Sequence, residues 1–202
     1  MAAILDILVS FTIGGVLLMI ILTANDMAAE NHMVYNGDML VQEMLVSTVG
    51  VLEGEFRNMG FGVDESTPTI AFADTSSIAF LSDLDRNPVT PPDTIKYYTG
   101  PVSELSGTQN TLDRLLHRRV NGGMEAAIGA VTIFDLTYLT QAGDLLPRPV
   151  PANRLSEIYT VEVTVEVQNP YAPLNQFGNN PEALFSSSLW QQTRLASQNT
   201  RR

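Results

Sequence analysis

The chain of 202 residues contains no cysteine. That absence excludes a disulfide scaffold, a thiolate zinc site and a cysteine nucleophile together, and it leaves the compartment open. Basic residues are nearly missing from the front, where Arg57 is the single Lys or Arg before Arg86. The same stretch holds 12 of the 22 acids, so residues 1–85 carry the whole formal charge of −11. Residues 86–202 hold 10 acids and 10 bases and are neutral. Without clustered Lys and Arg there is no surface suited to phosphate backbones, which argues against a nucleic-acid partner. Proline is missing before Pro68, so no residue of that kind interrupts a helix ahead of it. Also missing are a Gly-rich phosphate loop and a nucleophile elbow, and His32 and His117 each lack neighbours at metal-ligand spacing. Nothing here argues for an enzyme, a catalytic site or a small-molecule substrate. With 45% apolar and 16% charged residues the chain is not globally disordered. Its length suits one domain, or one domain with an appendage.

What is present at the front is an apolar run. Residues 7–25, ILVSFTIGGVLLMIILTAN, carry no charge. A helix of that length covers roughly the ~30 Å hydrocarbon core of a bilayer. The run is apolar all round rather than striped, which fits lipid or a fully buried bundle. A cleavable signal peptide needs a basic n-region, and Met1 to Leu5 has no Lys or Arg. Residues 1–25 are therefore expected to form an uncleaved span. Within it Asp6 is the exception, because a carboxylate in lipid is costly unless it is paired. Asp6 either sits at headgroup level near the positive end of the helix dipole or pairs with the α-amino group of a neighbouring copy. Gly14 and Gly15 weaken the helix by up to ~1 kcal/mol each. In a membrane such residues more often permit close helix packing.

From residue 26 to 62 the pattern becomes periodic. Val34, Val41, Leu45, Val49, Leu52, Phe56 and Met59 form one helical stripe, with Asp38, Glu43, Glu53 and Glu55 mostly between them. Met27, Met33, Met39, Met44 and Met59 at helical spacing read as core packing. The expectation is one helix of over fifty residues, half span and half amphipathic stem, stopped by Gly60 and Gly62.

The remainder predicts an α+β fold in which the long helix packs on a small antiparallel sheet spanning residues 63–168. Strands are expected at 69–73 and 77–81, forming a hairpin, then at 94–99, 112–120, 131–139 and 158–167. The last run alternates Tyr159, Val161, Val163, Val165 and Val167 with polar residues, so one face is buried. Gln141 to Asp144 reads as a turn. Residues 169–202, rich in Pro, Asn, Gln and Ser, read as an extended arm with Phe185, Leu189 and Trp190 as docking residues. Asp83, Asp85 and Asn87 have the spacing of a calcium loop. Pro88 stands where such a loop needs Gly and no Glu closes it, so a solvated turn is favoured, with calcium the lesser alternative.

Several segments taken in order resemble the type IV pilin and pseudopilin superfamily, most closely its larger minor pilins. Ala2 to Val9 looks like the family's apolar start, whose fifth mature residue is an acid, and Asp6 would be fifth after removal of Met1. Phe56-Arg57-Asn58-Met59-Gly60-Phe61-Gly62 resembles the ending of the family's long helix. Asp83 to Asn87 followed by Asp93 to Tyr98 resembles its acidic loop leading into a strand. Leu115 to Gly123, then Val131 to Leu139 and the Gly143 turn, continue the order. The chain departs from the family in having Asp where Glu is usual and in lacking an evident basic leader ending in Gly. The resemblance implies a single-pass membrane subunit with an exported C-terminal domain, whose partners are the membrane and copies of itself or other pilin-like subunits. It also implies that Ala2, Asp6, Gly14 and Gly15 serve assembly into a pilus, pseudopilus or related filament used in secretion or adhesion. A membrane-tethered binding or adhesion domain that does not polymerise is the alternative.

Overall fold

The computed structural model describes residues 2–87, 89–108, 110–169 and 187–195, without the side chains of residues 2, 30, 33, 34 and 187–195. Helix α1, Ala2–Arg57, runs 56 residues without interruption, about 84 Å at the α-helical rise. No proline breaks it, and its interior glycines lower its stability without stopping it. It ends in a turn where Gly60 and Gly62 adopt φ of 77° and 71°. There the Gly60 N–H donates to the Leu81 carbonyl at 2.8 Å, which ties the helix end to a strand.

The expectation of one small sheet is corrected. The described residues form two antiparallel sheets, one of five strands in the order β1-β2-β3-β4-β5 and one of three in the order β6-β7-β8. These strands are β1 Ile70–Ala73, β2 Ser77–Ser82, β3 Asp93–Thr99, β4 Arg114–Val120 and β5 Glu125–Val131, then β6 Ile133–Leu139, β7 Thr160–Gln168 and β8 Ser187–Leu195. Only Thr132 separates β5 from β6, and its N–H already donates to Glu166 of β7 at 2.8 Å. The chain thus swings from the first sheet into the second at a single residue. β5 escaped the sequence reading because Glu-Ala-Ala-Ile-Gly-Ala-Val is poor in β-formers. The Gln141–Asp144 turn is present, with Gly143 at φ 89°.

β8 lies in the stretch read as an extended arm. It pairs with β7, placing Leu189 opposite Glu166 and Trp190 opposite Val165. Phe185 lies outside the described residues.

The stem stripe packs as its spacing requires. Val41, Leu45, Val49, Leu52, Phe56 and Met59 are buried in one cluster with Ile78, Phe80, Ile95 and Tyr97 of the first sheet. Leu136, Val161, Val163 and Val165 of the second sheet close the same cluster. Phe56 meets Phe80 edge-on at 5.3 Å between centroids and Tyr97 at 5.7 Å, a favourable arrangement of ring quadrupoles. The methionine reading is corrected in part: Met59 is buried and Met44 packs on the core, but Met27 and Met39 are 60% and 70% exposed. Met39 stands on the side of the stem turned from the sheets, and Met27 lies in the part of α1 ahead of the domain. The side chains of Met33 and Val34 lie outside the described ones.

Candidate functional site

The helix divides by environment. Ala3–Ala29 is 27 residues long, apolar enough to cross a membrane, and has no part buried against the domain. At 1.5 Å per residue it covers about 40 Å, more than a hydrocarbon core. Burial begins at Gly37 and persists to Phe56 on one face. The membrane-suited part and the domain-bound part are therefore consecutive lengths of one rod.

Of the residues singled out for assembly, Ala2 is the first helical residue of α1. Asp6 is exposed on the same helix one turn before Ser10 and next to Ile7. A Cβ on Gly14 or Gly15 would meet nothing within 4 Å, so both glycines leave an open notch on an exposed helix. The Thr12 and Thr23 hydroxyls donate back to the Leu8 and Met19 carbonyls, which satisfies them without a partner helix. Among the described residues, no other element is brought to these residues.

Asp83, Asp85 and Asn87 do come together, as a turn that satisfies itself. Asp85 Oδ1 accepts from the Asn87 N–H at 3.0 Å and from the Thr90 hydroxyl at 3.2 Å. Asn87 Oδ1 accepts from the Val89 N–H at 3.1 Å. The Asn87 N–H, followed by the Asp83 side chain, holds the Asp85 carboxyl below the usual carboxylate range. Among the described residues no three His, Asp or Glu side chains are grouped to hold a metal ion. The loop is anchored instead by Asp93, which accepts from the Leu84 N–H at 3.1 Å and from Asn121 at 2.6 Å.

Sequence reasoning missed a polar cluster and a close approach that fix the stem to the sheets, and a polar contact within the sheet domain. Glu55 of α1 receives Arg118 of β4 and the Tyr97 hydroxyl of β3. Burial first, then the bond to Glu55, pushes the Tyr97 phenol far above its ordinary value. Gly129 of β5 lies so close to α1 that a Cβ there would stand 2.6 Å from Thr48 Oγ1. His117 Nε2 lies 2.7 Å from Glu104 Oε2, joining β4 to the short 3-10 turn Val102–Leu105. Because Gly129 stands in a run poor in β-formers, no sequence signal flagged its close approach to the helix.

No protein family, curated protein or solved structure matches the chain. The class the fold defines is an α+β domain borne on the far end of a helix whose near end suits a membrane.

Proposed function

We propose that the chain is a pilin-like structural subunit, anchored through α1 and assembling with copies of itself or related subunits into a type IV pilus, pseudopilus or similar filament. The observation that carries this reading is the continuity of α1. One unbroken rod presents an exposed, predominantly apolar stretch of 27 residues and then enters the domain core. A rod of this kind can remain in a bilayer or exchange lipid for the helices of neighbours without disturbing the domain. Asp6 is the single carboxylate of the span's first turns, and beside a neighbour's α-amino group it would fix axial register in an apolar bundle. The acid-rich, base-poor flank beyond the span suits a domain on the translocated side. The chain does no catalysis in this reading.

The test is Asp6→Ala, with Asp6→Glu as the charge-retaining control. Both variants are expected in the membrane fraction after alkaline extraction. Negative-stain microscopy should show at least about a tenfold drop in filaments for Asp6→Ala, equivalent to ~1.4 kcal/mol, and near-normal filaments for Asp6→Glu. Isolated particles from the unaltered chain would instead support a tethered exported domain that does not polymerise.

A further inference from the structure

The outer face of the five-stranded sheet, turned away from α1, carries the chain's one lysine. The Lys96 ammonium stands 5.8 Å from the Phe72 ring centroid and 5.1 Å from that of Tyr98. Phe72 is on β1 and Lys96 on β3, so the lysine stem crosses β2 at Ala79, the residue paired with both. Ala79 is buried although it lies on the outer face, as such a stem would leave it. Lys96 belongs to no ion pair among the described residues. Tyr98 is stacked on His117 at 5.3 Å, so this side of the patch is firmly held. The result is a cation between two rings, outside any ion pair among the described residues, with Phe72 43% exposed.

The complementary surface is the loop that follows β2. Leu84, 42% exposed, stands between Asp83 and Asp85. This segment leans toward the helix end. The Asp83 N–H donates to the Phe61 carbonyl at 2.8 Å, and the Arg86 guanidinium lies 5.8 Å over the Phe61 ring. Both contacts tie the segment to the end of α1, which packs on the face of the sheet opposite Lys96.

We propose that the Phe72–Lys96–Tyr98 face of one copy docks the Asp83–Leu84–Asp85 segment of a second copy. The carboxylates approach the ammonium while Leu84 covers the rings, so charge and apolar area match together. The inference rests on the assembly reading and names a contact between domains that the helix alone does not supply. Copies held in one membrane by the same helix present both surfaces at similar heights. Leu84 bonds to Asp93, and Asp93 is three residues from Lys96, about 10 Å along β3. A shared membrane also raises their effective concentration. The contact joins two different patches, so it propagates along a row of copies rather than closing a dimer.

Because Lys96 is the sole lysine, carbodiimide coupling reads this contact directly. Full-length chain, half of it labelled with ¹⁵N, is reconstituted in vesicles, coupled, digested and analysed by mass spectrometry. The expected product links Lys96 of one isotope to the Asp83–Asp85 peptide of the other, with a yield that falls as salt is raised. Lys96→Glu and Asp85→Lys should each lower the oligomer fraction about tenfold, and the chain carrying both should regain it. Retained near-UV dichroism in the single variants separates lost docking from lost folding. Links confined within one isotope, links to other carboxylates, or full oligomer yield in Lys96→Glu would overturn the proposal. If oligomers persist without the mixed link, this contact falls and assembly through the helix stands. If no oligomers form from the unaltered chain, both readings fall.

Discussion

Arg118 of β4 closes on Glu55 of α1 with Nε at 2.8 and 2.9 Å from the two carboxylate oxygens and a terminal nitrogen at 2.6 Å. The Tyr97 hydroxyl donates to the same carboxylate at 2.5 Å. One helix side chain thus collects donors from two adjacent strands, at 19% side-chain exposure for Glu55 and 23% for Arg118. The arrangement sets the rotation of the stem on the sheet, since hydrophobic burial alone is indifferent to small rotations. Removing Glu55 leaves a partly buried guanidinium and a phenol without their acceptor. Glu55→Ala is expected to cost about 2–3 kcal/mol, in the range for charged hydrogen bonds left half-made. Denaturant unfolding in neutral detergent measures it, and a cost under ~0.5 kcal/mol would show the cluster to be incidental to stability.

Gly129 tests how closely the helix must sit. The position has no room for a Cβ beside Thr48 Oγ1, and the threonine is buried on a packed helix. Gly129→Ala should therefore destabilise by about 1–3 kcal/mol, as overpacking does. Thr48→Ala removes the clashing hydroxyl, so the double variant should recover most of that loss. Additive losses in the double-mutant cycle would mean that the two residues do not share the contact.

The helix and the alternating strands were legible because each has one dominant period. The stripe from Val41 to Phe56 repeats at helical spacing, and β7 alternates Val161, Val163, Val165 and Val167 with polar neighbours. Both are buried as written. β5 was not legible, because its Ala and Gly residues are weak strand formers and Gly129 is there for closeness to Thr48. Met39 misled for a different reason: composition does not say which side of a stem is covered, and its side faces away from the sheets. The polar joints were hidden as well. Glu55 and Arg118 are 63 residues apart, and only the fold brings them together.

The division of α1 predicts that the span is dispensable for folding. Among the described side chains the buried core begins at Val41, and Ala3–Ala29 buries nothing. A chain shortened to residues 30–202 is expected to be soluble without detergent. Its unfolding midpoint should lie within a few degrees of the full chain's, since no core contact is removed. A drop larger than about 4 °C, where roughly 1 kcal/mol shifts a domain of this size by about 2–4 °C, would place stabilising contacts in the span.

Asp113 gives the fold a pH dependence of definite sign. The residue precedes β4, is 2% exposed, and its Oδ2 has no hydrogen-bond partner among the described residues. Burial raises its carboxyl above the ordinary 3.8, with the Thr108 hydroxyl opposing the shift. An acid whose folded-state value is raised binds its proton more tightly when folded. Its contribution is therefore fully present below the unfolded value near 3.8 and is lost as pH rises through the higher folded value. Asp113→Asn removes the charge that burial opposes. Its unfolding midpoint relative to the unaltered chain should be flat below the ordinary carboxyl value and climb as pH rises from there to neutrality. A difference that is constant across that range would show that the buried carboxyl titrates alike in both states.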